Sequence, residues 1–119
     1  MELEDFLQQL NKAPEGIFFA ETIALIECLY HFTPTAFSNG SLVSEAGQNS
    51  GSCKIFSFAQ LQGLTEHQTL NCFGAYYRED VLNHPLGTDH QNIRHFMKTG
   101  WAGIELSGVA LTPRQAAAD

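Results

Sequence analysis

Basic residues are scarce in this sequence, six Lys and Arg against thirteen Asp and Glu, and the formal net charge is −7. A surface of that sign repels a phosphate backbone and offers no basic stripe, which excludes nucleic acid as the main partner. Long apolar runs are missing as well. None reaches the ~18 residues of a membrane span, and Met1-Glu2-Leu3-Glu4-Asp5 is acidic where a signal peptide needs basic residues. The expected location is therefore cytoplasmic, without a membrane partner. Cysteine is sparse: Cys28, Cys53 and Cys72 are odd in number, widely spaced and free of any C-x-x-C pair, so they form neither a disulfide framework nor a zinc site. Nor do the five histidines contain an H-x-x-x-H pair, and His90 and His95, five apart, point to different helix faces. No metal and no cofactor is expected.

What is present is enough apolar material, 44% of 119 residues, for one domain with a real core. Leu3, Phe6, Leu7 and Leu10 recur at helical spacing until Pro14 and Gly16 halt the pattern. A second helix is predicted over about 20–30 on the stripe Phe19, Ile23, Ile26 and Tyr30. Glu27 falls on that stripe, which makes it a candidate buried charge needing Lys54, Arg78 or Arg94 as partner. Asn39-Gly40 between two β-compatible runs predicts a hairpin near 35–43. A third helix, from about Ser52 to Leu61, stops at Gly63.

Thr65 and Gln68 form a capping box for a fourth helix, with the stripe Leu70, Phe73, Gly74, Tyr77 and Val81. A glycine there weakens the helix by about 1 kcal/mol, so its presence predicts that another backbone approaches closely. Tyr76 and Tyr77 are both assigned to the core. Thr88 and Gln91 repeat the box for a fifth helix, 89–99, whose buried side carries Ile93, Phe96 and Met97. Strands near 103–111 complete the pattern. The expectation is an α+β domain over 1–111, about five helices with a small antiparallel sheet, followed by a flexible tail at 112–119.

The stretch richest in chemistry is Gly47-Gln48-Asn49-Ser50-Gly51-Ser52-Cys53-Lys54, a polar glycine-rich loop running into the apolar Ile55-Phe56. A helix start there leaves unpaired N–H groups and partial positive charge, which suit an anion and lower the pKa of a thiol. The spacing is not that of a P-loop, since three residues rather than four separate Gly47 from Gly51. Two readings follow. In one, Cys53 is a nucleophile, His90 its general base and Asp89, Asn92 or Asn49 the orienting group. In the other, Asn49, Ser52, Lys54, Asn92 and Arg94 bind a small ligand or a partner, and Cys53 is buried packing.

The strings Glu21-Thr22-Ile23-Ala24-Leu25-Ile26-Glu27, Phe32-Thr33-Pro34-Thr35-Ala36-Phe37, Ala46-Gly47-Gln48-Asn49, Gly51-Ser52-Cys53-Lys54, Cys72-Phe73-Gly74, Tyr76-Tyr77-Arg78-Glu79-Asp80-Val81-Leu82 and His90-Gln91-Asn92-Ile93-Arg94-His95-Phe96-Met97, with the segment Met1 to Pro14, resemble the HopJ type III effector family. The resemblance runs from the first residue to about Leu111. It implies secretion into a host cell through a type III system and interference with plant defence, on an unspecified small ligand or a host or bacterial protein. It brings no established catalytic residues and no oligomeric state. Type III export segments are usually flexible and serine-rich, whereas Leu3 to Leu10 reads as folded, so a resident cytosolic binding protein is the alternative.

Overall fold

The computed structural model describes residues 2–114. Helix α1 (Leu3–Lys12) buries Phe6 and Leu10 and ends before a 3-10 turn at Pro14–Gly16. Helix α2 (Phe19–Leu29) passes directly into β1 (Tyr30–Phe32), a strand that the helical stripe through Tyr30 conceals. The core face of α2 is Thr22, Leu25 and Ile26, about 150° round the helix from Glu27 at 100° per residue. Glu27 is therefore exposed, not buried as the stripe predicts. It does pair with Lys54, at 2.9 Å.

The predicted hairpin is present as β2 (Phe37–Asn39) and β3 (Leu42–Ser44), closed by Gly40 and Ser41 with Gly40 at a φ of 62°. Strand β4 (Ile104–Leu106) adds to its other edge, antiparallel to β2. Strand β5 (Leu111–Pro113) pairs instead with β1, in a separate two-stranded sheet, and the Arg114 N–H donates to the Leu29 carbonyl. Folded structure thus extends past the boundary expected at 111. The rest of the expected tail, 115–119, lies outside the described residues.

Helix α3 (Ser50–Gln62) runs through the middle, with Ile55, Phe56, Phe58 and Ala59 fully buried. Phe56 meets the rings of Phe37, Phe73, Phe96 and Trp101, which ties the hairpin, the turn after α4, and α5 with the turn that follows it to one centre. Gly63 ends α3 in the left-handed conformation expected of a terminal glycine. Helix α4 (Glu66–Asn71) carries the predicted box: the Gln68 N–H donates to Thr65 Oγ1 at 3.1 Å, and the Thr65 N–H to Gln68 Oε1 at 3.0 Å.

The expected continuous helix from 65 to 81 is broken. Gly74 takes a φ of 63°, and beyond it Tyr76–Val81 forms a π-helical segment. The wider turn sends Tyr77 into the core and leaves Tyr76 outside at 42% exposure, against the expectation that both rings are buried. Helix α5 (Gln91–Thr99) begins two residues later than predicted. Its expected box fails because the Gln91 side chain donates to the Thr88 carbonyl rather than returning to a cap N–H. Met97, placed on the buried side by spacing, is exposed, and Asn92 and Arg94 are buried in its stead.

Candidate functional site

The starts of α3 and α5 face one cavity of about 490 Å³. Each helix is preceded by a residue in the left-handed region, Asn49 at φ 52° and His90 at φ 49°, and these are the only non-glycine residues with positive φ among those described. Such conformations are costly outside glycine and collect at functional sites. Neither residue caps its own helix. The Asn49 amide turns away and donates to Ser44 Oγ at 2.8 Å, and His90 makes no side-chain cap. As a result the first-turn N–H groups of Gly51, Ser52, Gln91 and Asn92 find no acceptor among the described residues. All four residues line the cavity.

Asn92 adds a side-chain donor. Asn39 Nδ2 donates to the Asn92 carbonyl at 2.8 Å, which fixes the Asn39 amide, because that carbonyl can only accept. The same Nδ2 donates to Asn92 Oδ1 at 3.1 Å, so Asn92 Nδ2 must face the other way. Asn92 is 6% exposed and lines the cavity, and its Nδ2 has no acceptor among the described residues. Asn39, a turn residue by sequence pattern, thus sits fully buried at the end of β2 and holds the start of α5 in place.

The opposite wall is aromatic. Tyr76 stacks on His90 with ring centroids 4.9 Å apart and meets Phe19 edge-on at 5.0 Å. His90 Nε2 lies 3.0 Å from Asp80 Oδ2 and 3.8 Å from Asp89 Oδ2. Asp89 is itself neutralised by Arg94, whose Nη2 donates to Oδ1 at 2.6 Å, and this bond holds the Asp89 carboxyl below its usual range. A Cβ at Gly51 would stand 3.2 Å from the edge of the Phe19 ring, so the glycine lets the aromatic wall close on the start of α3.

The family model for the HopJ type III effector protein matches residues 3–111. The chain belongs to the HopJ family. A solved crystal structure, that of a protein of unknown function designated VPA0580, shares 54% identity, with 96% of this chain and 95% of that one covered and a TM-score of 0.94. It supports the HopJ fold and carries no activity across. No curated protein matches the chain. Among the described residues of this HopJ domain, no helix is long and apolar enough to cross a membrane, and no group of three or more acidic, Cys or His side chains could hold a metal ion.

Of the residues singled out in the sequence, Asn49, Ser52, His90 and Asn92 come together on the cavity, and Cys53, Lys54 and Arg94 do not line it. Cys53 is buried on another face of α3, its Sγ 3.5 Å from the Thr35 carbonyl. Consecutive helical residues point about 100° apart, so Ser52 reaches the cavity and Cys53 turns inward. Burial pushes the Cys53 thiol above its ordinary value of 9.0, opposite to the lowering expected from the helix start. Cys53 and His90, paired as nucleophile and base from sequence, are thus not brought together: His90 lines the cavity and Cys53 does not. Lys54 is spent on Glu27 and on the face of Phe32, 4.9 Å from the ring centroid. Arg94 is spent on Asp89 and on the His84 carbonyl at 2.8 Å. Phe19, Tyr76 and Asp80 are not singled out for the site by sequence, since the π-helical segment and the loop before α5 bring Tyr76 and Asp80 to His90, and the approach of α2 to Gly74 brings Phe19 to Tyr76.

The thiols give a direct check. In single-cysteine variants of the native protein, iodoacetamide is expected to modify the exposed Cys28 quickly and Cys53 only slowly, with a rate that rises on adding denaturant. The Cys53 rate should still be rising with pH at 9.0 rather than levelling off below it, because burial holds the thiol above its ordinary value and the thiolate fraction grows until that higher value is passed. Fast labelling of Cys53 near neutral pH would contradict the burial described above.

Proposed function

We propose that this HopJ domain is a binding protein that receives the oxygen-bearing anionic head of a small ligand at the paired starts of α3 and α5. The observation that carries this reading is the pair of left-handed residues, Asn49 and His90, that opens two uncapped helix starts onto one cavity. Each start contributes about half a unit of positive charge, together with donors already held in position. Such donors need little reorganisation to bind, so the strain of two left-handed side-chain residues is a stability cost set against preorganisation. The family description supports action in a host cell reached by type III secretion. There, sequestering a small signalling molecule would blunt defence without any chemical step.

Titration of the isotope-labelled protein with sodium formate, read by amide NMR shifts, tests the reading. Saturable shifts should centre on Gly51, Ser52, Gln91 and Asn92, and Asn92→Asp should remove them. The replacement keeps Oδ1 for Asn39 and puts a negative charge at a helix start, where the dipole favours it, so the fold survives while an anion is repelled. Shifts scattered over the surface, or unaffected by Asn92→Asp, would sink the proposal.

A further inference from the structure

We infer that the ligand is an aromatic monocarboxylate, with its carboxylate shared between the two helix starts and its ring against Tyr76 and Phe19. This rests on the anionic-head reading and adds two independent arguments, one from charge and one from shape.

Charge selects the head group. No lysine or arginine lines the cavity, and the two nearest in sequence to its helix starts, Lys54 and Arg94, are each already paired with a carboxylate. The positive potential available is that of two helix starts, about one unit charge in all, which balances a monoanion and leaves a phosphate dianion half uncompensated. Asp80 beside His90 and the chain's net charge of −7 both weigh further against a second negative charge. A planar carboxylate has two oxygens to divide between the donors of α3 and α5, and Asn92, 6% exposed and with no acceptor for its Nδ2 among the described residues, supplies a neutral donor beside them.

Shape and surface select the body. At about 490 Å³ the cavity falls in the range of single small-molecule sites. Its wall is a run of rings, Phe19, Tyr76 and His90, with centroids 5.0 and 4.9 Å apart. Tyr76 is left 42% exposed by the π-helical segment in a chain that buries its neighbour Tyr77, and π-helical turns recur at functional sites. An exposed ring surface beside positioned polar donors is the usual division of labour in a ligand pocket, apolar contact for the body and hydrogen bonds for orientation.

The test is calorimetric titration of the full chain with benzoate, cyclohexanecarboxylate and phenyl phosphate. Benzoate should bind best, with cyclohexanecarboxylate and phenyl phosphate weaker by about tenfold, as expected for losing ring packing or charge balance. Tyr76→Leu and, separately, Phe19→Leu should each erode the preference for benzoate over cyclohexanecarboxylate, with circular dichroism showing the fold intact. Equal binding of benzoate and cyclohexanecarboxylate, both abolished by Asn92→Asp, would overturn the aromatic inference and leave the anionic head standing. Benzoate binding that survives Asn92→Asp would overturn both. Tighter binding of phenyl phosphate than benzoate would overturn the charge argument, and no benzoate binding at all would overturn the inference outright.

Discussion

Replacing Gly74 by alanine is expected to destabilise the domain by about 2–5 kcal/mol, the sum of roughly 1–2 for a left-handed alanine and 1–3 for overpacking. A Cβ at this position would lie 2.6 Å from the Phe19 amide nitrogen and 3.3 Å from both the carbonyl carbon and Cα of Phe18. These are backbone atoms at the start of α2, so nothing flexible can give way. A fall in melting temperature of roughly 10–20 °C is the measurable result for a domain of this size. Gly63→Ala is the control. Gly63 also has a positive φ, 66°, but nothing stands within 4 Å of its Cβ position, so its cost should be the backbone part alone. If the two variants melt together, α2 does not sit on Gly74 as described. The same variant should also weaken ligand binding, because the approach of Phe18 and Phe19 to Gly74 is what puts the Phe19 ring against Tyr76.

That close approach is legible in the sequence, since a glycine on a core stripe forfeits both packing and helix stability unless a neighbouring backbone needs the space. Its consequence is not. Helical periodicity assumes an unbroken 3.6-residue turn, and Leu70, Phe73, Tyr77 and Val81 fit it well while the backbone between them changes from α to a left-handed glycine to a π-helical segment. All four are buried either way, so the core pattern does not reveal which backbone carries them. Tyr76, the ring that the break exposes, reads as core for that reason.

Local signals otherwise succeed where the partner lies a few residues away. The Thr65 and Gln68 box, the Gly63 stop and the Asn39-Gly40 turn are all present. They fail where burial by a distant element decides. At Cys53 a helix start favours the thiolate, but enclosure beneath the Thr35 carbonyl outweighs it. Glu27 follows an apolar stripe of which the core takes Ile26 and Tyr30 from one side only, because the buried face of α2 is centred on Thr22, which hydrogen-bonds the Cys72 carbonyl at 2.9 Å, and Glu27 lies beyond its edge. The candidate site shows the same division. Asn49, Ser52, His90 and Asn92 are recognisable from residue type, whereas the left-handed backbone at Asn49 and His90 that brings two helix starts together depends on packing no single segment encodes.

Arg78→Ala is expected to cost roughly 2–4 kcal/mol, although no carboxylate among the described residues pairs with this side chain. Its guanidinium serves carbonyls instead. Nη1 donates to the Pro14 carbonyl at 3.0 Å, to the Asn71 carbonyl at 3.2 Å and to Asn71 Oδ1 at 3.1 Å, and Nη2 donates to the Ile17 carbonyl. One side chain thus joins the turn between α1 and α2, the end of α4 and the π-helical segment. Removing it leaves several half-buried carbonyls without a donor, and the loss for each is that of a charge-assisted bond offset by whatever water enters. Arg78→Lys should recover less than half, since a single ammonium cannot reach the separate carbonyls that a planar fork spans. Urea unfolding of the three proteins measures both differences, and full recovery by lysine would mean that charge alone, rather than the fork, holds the junction. Because Arg78 lies between Tyr76 and Asp80, its loss should also loosen the segment that supports His90. The expected sign is broadening of the Tyr76 and Asp80 amide resonances at temperatures well below unfolding, while those of α3 beyond Lys54 stay sharp.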